Sequence, residues 1–245
     1  MEISLIRSRY KVTSVIRAED GYAALRAVDI ERGDKREYLL NVYEGASARR
    51  YAACFDSLRR CPEFREVFLS EGALIAAFEY TDAPCIDRLF YVGADIPWAL
   101  RVQYARLLLH LALTVSDYPL EIACAAFYSD NLIPLRKEAG LAVNYIVQPA
   151  AANARELIYL LSDQLRKVLL RRFGSTGAEH DFLDLLESGR YDSVGKIYSR
   201  WHEIEPAVEE EYARLEAMNA AGRAIKLLSG AARRRLGRKK KGAAK

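Results

Sequence analysis

The sequence predicts an α+β protein with two lobes: a small antiparallel β lobe with one helix, followed by a mainly helical, truncated lobe. Residues 10–80 contain β-branched and aromatic runs separated by the turns AEDG, ERGD and SEG, as is typical of short strands. From Pro97 onward the apolar residues recur with helical spacing, apart from one hairpin-like stretch at 132–147. This change of period places the boundary between the lobes near residue 80.

The predicted domain organisation is a first lobe at 1–80, a second lobe at 81–230 and a basic, disordered tail at 231–245. With 245 residues, 51% of them hydrophobic, the chain can bury a sizeable core. Its four cysteines form no CxxC pair and its three histidines are scattered, which argues against a zinc site or a disulfide scaffold. There is no secretory leader pattern and no long uncharged apolar stretch, so we expect a cytoplasmic protein.

In the first lobe, YKVTSVI, AALRAVDI and REYLLNVYE predict a three-stranded meander. Residues 46–60 have apolar spacing typical of a helix, and 64–80 read as two further strands. The second lobe is predicted to contain a short helix from Ile86, a long helix from Pro97, and a tight loop that ends at Asn131 before the hairpin. The remaining predicted helices are 154–173, two shorter ones within 179–204, and a last one at 207–228.

The loop CAAFYSDN and the hairpin after it carry the most informative spacing. The loop resembles the catalytic loop of protein kinases, with Asn131 at the position of the conserved Asn. The stretch AFEYTDAPCIDRLF is similar to a kinase hinge, with Phe78 at the gate and Glu79 and Tyr80 as the linker. The resemblance implies a kinase-like fold over residues 10–170 and names Phe78, Glu79, Tyr80 and Asn131 as pocket candidates.

The same resemblance implies that the catalytic groups are missing. Asn41 stands where kinases have the phosphate-binding Lys, Ala52 where its Glu partner would be, Ala126 at the catalytic Asp, and Asn144 at the metal-binding Asp. We therefore predict a pseudokinase with no catalytic residues, no metal ligands and no bound ATP or Mg²⁺.

Two further departures concern the substrates. Arg17 and Glu19 replace the first two glycines of the phosphate loop, where a side chain and an acidic group would hinder a triphosphate. The losses favour a pocket filled by side chains such as Phe78 and Tyr145, although a nucleoside without phosphates could fit. Only 148–153 separate the hairpin from the next helix, which leaves no room for a peptide-substrate platform.

Three functional hypotheses follow. The first is a catalytically inactive, kinase-like scaffold that binds a protein partner. The second is an atypical nucleotide-binding phosphotransferase with Asp130, Asn131 and Asn144 around a metal, although Asp130 fits a turn residue better. The third is a nucleic-acid-binding protein with a basic arm. Cys124 and His110 are predicted to be structural residues, since neither has a catalytic partner nearby in sequence.

The basic tail has its own range of partners. Eight of the 37 basic residues lie from Arg233 onward, which leaves 29 basic against 33 acidic residues in 1–232. Such a cluster suits an anionic membrane surface, nucleic-acid phosphates, or plain solvation. We expect no nucleic-acid partner, because the tail lacks interleaved aromatic residues and the body is acidic. The candidate anion-binding residues are Arg233, Arg234, Arg235, Arg238, Lys239, Lys240 and Lys241.

The tail also suits the cytoplasmic flank of a membrane helix present in related proteins. That arrangement is similar to the cytoplasmic pseudokinase domains of bacterial type VII secretion membrane proteins. The resemblance implies a bacterial protein that is cytoplasmic or peripheral to the inner face of the membrane.

Overall fold

The structure, a computed structural model, describes most of the chain. The described residues are 5–31, 33, 36–58, 60–91, 93–135, 140–169, 176–219, 221–230 and 232. The predicted anion-binding residues of the tail lie outside them.

An antiparallel sheet forms the first lobe, with strand order β1-β2-β3-β4-β6-β5. All five predicted strands are confirmed, and a short strand at the N-terminus pairs with β2 in addition. Along β3, the buried Tyr22 and Ala24 belong to the main core, whereas the buried Ala27 belongs to a second, smaller cluster, so the strand buries residues on both of its faces. The strands are β1 Leu5–Ile6, β2 Tyr10–Glu19, β3 Tyr22–Asp29, β4 Glu37–Tyr43, β5 Phe64–Ser70 and β6 Ala73–Glu79.

The predicted helix of this lobe is α1, Gly45–Asp56. It packs on the sheet through Tyr51 and Phe55, and Tyr51 stacks on Tyr43 of β4 with ring centroids 4.6 Å apart. Aromatic rings therefore hold the helix against the sheet.

The second lobe is mainly helical. Its helices are α2 Ile86–Leu89, α3 Trp98–Val115, α4 Leu120–Ala125, α5 Ala154–Leu169, α6 Gly177–Glu187 and α7 Val194–Glu216, and residues 221–230 are also helical. Between α4 and α5, a 3₁₀ turn at Ser129–Asn131 leads into the predicted hairpin of β7 Leu132–Leu135 and β8 Gly140–Val143. Helix α3 buries Tyr104, Leu108 and Ala112 at the centre of the lobe, because its apolar residues cover most of its circumference.

The C-terminal helices differ from the prediction. Instead of a break between 204 and 207, α7 continues through Pro206, and the helical segment at 221–230 is separate from it. A proline inside a helix costs about 3 kcal/mol, but Trp201, Ile204 and Val208 are buried on both sides of it. This packing offsets the lost backbone hydrogen bond. Gly230 is the last residue of this helical segment.

Candidate functional site

An open cleft lies between the first lobe and the hairpin of the second lobe. Its volume is about 680 Å³. Strand β2 provides one wall, the linker after β6 another, and the 3₁₀ turn and hairpin a third. The lining residues are Ile16, Arg17, Tyr80, Ala83, Cys85, Asp87, Tyr128, Ser129, Asp130, Asn131, Ile133, Asn144, Ile146 and Gln148.

Asn41 lies on β4 and is fully buried. Its Oδ1 accepts hydrogen bonds from the Tyr22 hydroxyl (2.8 Å) and the Val147 N–H (2.9 Å), and its Nδ2 donates to the Tyr145 carbonyl at 2.8 Å. A lysine at this position could not accept the first two bonds. The amide thus joins the first lobe to the segment that follows β8.

Asn144 directly follows β8 and ties the second lobe to the linker after β6. Its Oδ1 accepts from the Thr81 N–H at 2.8 Å, and its Nδ2 donates to the Thr81 carbonyl at 3.0 Å. The side-chain amide pairs with a peptide group as a neighbouring strand would. An aspartate could make only the first of these bonds in its ionised form.

Asn131 ends the 3₁₀ turn and is buried. Its Nδ2 donates to the Ala125 carbonyl at 2.7 Å and to the Ile146 carbonyl at 3.2 Å, while its own carbonyl accepts from the Asn144 N–H at 2.8 Å. Residue 131 therefore holds the loop and the hairpin together.

Three residues that the sequence did not single out extend this contact. The Tyr43 hydroxyl donates to the Val147 carbonyl, the Tyr51 hydroxyl donates to the Gln148 carbonyl at 3.1 Å, and Arg50 reaches both Glu121 (2.8 Å) and the Ala150 carbonyl (3.0 Å). Burial raises the pKa of Tyr43 well above its ordinary value, so the hydroxyl stays a donor. The available signal was a pair of tyrosines at core positions, since buried tyrosine hydroxyls usually have partners.

We call the group Asn41, Tyr43, Tyr51, Asn131 and Asn144 the interlobe staple. Each member bonds the backbone on the other side of the cleft or within the loop and hairpin beneath it. The bonds lie at the inner end of the cleft, so the two lobes are held at the segment 144–150.

The two alanines at kinase catalytic positions carry no polar group into this region. Ala126 caps α4 and is fully buried. Ala52 lines a separate outer groove of about 430 Å³ between α1 and the β5–β6 turn, together with Leu69 and Leu74. Neither position offers a proton acceptor or a cation ligand.

The gate residue Phe78 is fully buried and stacks on Tyr145, with ring centroids 5.2 Å apart. Burial raises the pKa of Tyr145 strongly, and Cys61 and Glu63 nearby raise it further. These rings fill the space between β6 and the segment after β8, as expected. The outer part of the cleft, which these two rings do not line, remains open.

The linker is fixed to the sheet by charges. Arg26 makes ion pairs with Glu37 (2.6 Å) and Asp82 (2.8 Å), and its guanidinium lies 5.1 Å from the ring centre of Tyr80. Glu79 pairs with Arg36 and Arg65 on the outer surface. Glu79 therefore forms ion pairs on the outer surface of the first lobe. Of the two linker candidates, Tyr80 alone lines the cleft.

Among the described residues, three charged side chains line the open cleft: Arg17, Asp87 and Asp130. Arg17 lines it from β2 and lies 3.9 Å from Glu19, and Asp130 is exposed beside Asn131. Over the described part of the chain, no group of three His, Cys, Asp or Glu residues is placed to hold a metal ion.

Cys124 and His110 are predicted from the sequence to be structural residues. Cys124 is buried, and desolvation raises the pKa of its thiol to about 12. Desolvation likewise raises the pKa of Cys61 to about 11. A thiol with such a pKa is a poor nucleophile at neutral pH. His110 packs edge-on against Tyr198, with ring centroids 5.9 Å apart.

Comparison with solved structures identifies this architecture. A pseudokinase in its apo form superposes with a TM-score of 0.53 at 11% identity, covering 79% of this chain and 91% of that chain. This chain has a protein kinase-like fold. The kinase domain of PknI from Mycobacterium tuberculosis gives 0.53 at 14% identity, covering 84% and 96% of the two chains. Rad53 1–466 in complex with AMP-PNP gives 0.56 at 8% identity, with 77% of this chain but only 64% of the Rad53 chain covered.

Sequence comparisons add nothing to this kinase-like fold, because no protein-family model and no curated protein matches the chain. Among the described residues, no helix of this kinase-like chain is both long enough and apolar enough to cross a bilayer.

Proposed function

We propose that this chain is a catalytically inactive, kinase-like interaction module that binds a protein partner. The observation that carries the proposal is the interlobe staple. At the positions of the phosphate-binding Lys and the metal-binding Asp, Asn41 and Asn144 use their amides on neighbouring residues, mainly on the backbone. These groups are committed to structure and carry no charge for a phosphoryl transition state, which requires positioned charges.

The short segment between Val147 and α5 supports the same proposal. In the kinase resemblance this region would hold the activation segment, but here residues 148–153 connect directly to α5. Residues 148 and 150 are bonded to Tyr51 and Arg50. A body whose lobes are joined by these bonds is suited to present surfaces to a partner.

The direct test is phosphoryl transfer by the full-length chain. Purified protein is incubated with γ-labelled ATP, Mg²⁺ or Mn²⁺, and general acceptor proteins. We expect no labelled product above the buffer control. Transfer that disappears in Asp130→Ala, while the paired control Asp192→Ala retains it, would overturn the proposal, since Asp130 lines the cleft and Asp192 lies on the surface before α7.

The second candidate is a nucleotide-binding phosphotransferase, and the open cleft of about 680 Å³ favours it. Tyr80 and Ile133 offer apolar contacts to a flat ring, and Arg17 offers a cation. Thermal unfolding with millimolar ATP, with and without Mg²⁺, distinguishes the cases. A ligand at about 100 times its Kd stabilises the fold by about 2.7 kcal/mol. A metal-dependent rise in Tm supports the phosphotransferase. An unchanged Tm supports the catalytically inactive interaction module.

A further inference from the structure

The helical segment 221–230 has an apolar face that the other described residues leave uncovered. Residues 221, 224, 225, 228 and 232 are Ala, Ala, Ile, Leu and Ala, at spacing that places them on one side of a helix. Ile225 is 68% exposed and Leu228 is 59% exposed. Because these two side chains are neighbours on one side of the helix, they form a contiguous exposed apolar patch together with the alanines.

The opposite face and the adjoining sequence are basic. Lys226 lies across the helix from the apolar residues and is exposed. Arg223 donates from its Nε to the Leu215 carbonyl at 3.0 Å, which anchors the segment to the end of α7. The sequence after the segment adds eight basic residues and no acidic one.

We infer that residues 221–230 form an interfacial helix that docks this protein on an anionic lipid surface, with Ile225 and Leu228 inserted among the acyl chains. An apolar face combined with adjacent cations is the pattern of helices that lie in the membrane interface. Each Lys or Arg near such a surface adds roughly fivefold to the partition coefficient. The ten helical residues 221–230 are about 15 Å long, which is too short to span the bilayer, so the segment lies on it.

Charge complementarity argues against the other occupants of this face. Pairing with a second copy through the apolar face would bring two sets of eight cations together, which is unfavourable. Nucleic acid would take the cations but leave Ile225 and Leu228 in water. The acidic residues of α7 are also poor partners for the basic sequence, because they already have cations. Glu205 and Glu209 are paired with Arg106, and Glu210 is paired with Arg214. Only an anionic bilayer satisfies both the apolar and the basic face.

The test is flotation of the full-length protein with vesicles. Phosphatidylcholine vesicles are compared with vesicles that contain about 30% phosphatidylserine, at low salt and at about 0.5 M salt, where screening is strong. We expect binding to the anionic vesicles alone. Ile225→Ser with Leu228→Ser should lower the partition coefficient by about tenfold or more. Leu69→Ser is the matched control, since Leu69 is 73% exposed on β5, and should bind as the wild type does.

A second measurement reads insertion directly. Leu228→Trp should shift its emission to the blue when anionic vesicles are added, whereas Leu69→Trp should not. Three outcomes overturn the inference: no binding to anionic vesicles, equal binding by the double serine variant, or binding of an RNA duplex without any binding of vesicles. The phosphoryl-transfer assay is independent of this surface, so failure of either proposal leaves the other untouched.

Discussion

The inner and outer halves of the interlobe cleft use the same kinase-like frame in opposite ways. At the inner end, Asn41, Asn144 and Tyr43 form a set of hydrogen bonds between the lobes. At the outer end, the space under Tyr80 stays open and exposed to solvent.

The difference teaches that neutral residues at positions aligned with charged kinase residues can have a structural use of their own. A Lys or Asp held near the lobes would need a charged ligand to balance it, because an unpaired buried charge is costly. A neutral amide with one donor group and one acceptor oxygen satisfies backbone groups on both sides. These amide bonds stabilise the contact between the lobes, whereas the space lined by Tyr80 and Ile133 stays open.

The largest expected contrast between the two halves is in thiol reactivity. Cys85 lines the open cleft, whereas Cys61 lies beside Tyr145 with its thiol pKa raised to about 11. Because the raised pKa leaves less thiolate at any pH below it, iodoacetamide at about pH 8 should modify Cys85 at least about a hundredfold faster than Cys61 or Cys124. Peptide mass spectrometry over time measures the rates. Equal rates would contradict the closed inner half.

Asn41→Leu should remove the hydrogen bonds that Asn41 makes at the inner end of the cleft. It leaves the Tyr22 hydroxyl, the Val147 N–H and the Tyr145 carbonyl without partners. Buried unsatisfied groups cost about 1–3 kcal/mol each, so the free energy of unfolding should fall by about 3 kcal/mol or more. Urea unfolding measures it. Asn219→Leu, which removes a single exposed bond to the Gly222 N–H, is the control and should lose about 1 kcal/mol or less.

Asn144→Asp sharpens the comparison, because it restores the kinase residue. The carboxylate still accepts from the Thr81 N–H but no longer donates to the Thr81 carbonyl. We expect the free energy of unfolding to fall by about 1–2 kcal/mol at neutral pH, with no gain of phosphoryl transfer. Chemical denaturation and the labelled-ATP assay measure the two effects. A more stable Asn144→Asp protein would show that the hydrogen bond from the Asn144 amide to the Thr81 carbonyl does not stabilise the fold.

The smallest effect is expected in the outer half. Ala83→Trp places a large ring in the open cleft from a half-exposed linker residue. Because no buried polar group loses a partner, the free energy of unfolding should change by about 0.5 kcal/mol or less. Any ATP-dependent rise in Tm of the wild type should be absent in this variant. A retained rise would place the nucleotide outside the cleft.

Much of the fold could be predicted from local patterns. Period-two runs and turn residues predicted five of the strands, and helical spacing predicted α1, α3 and α5. The miss at Pro206 arose because proline is a strong local signal, whereas the burial of Trp201 and Val208 that outweighs it is tertiary. The short β1 has two residues, too few for a periodic pattern.

The sequence by itself determined the kinase-like order of elements and the residues at the catalytic positions, because both depend on spacing along the chain. It could not reveal the use of those residues. The partners of Asn41 at 145 and 147 are about a hundred positions away in the chain, and only folding brings them within 3 Å. Likewise, the filled inner pocket and the open outer cleft depend on how two lobes meet, which is decided by packing between elements and not by any local pattern.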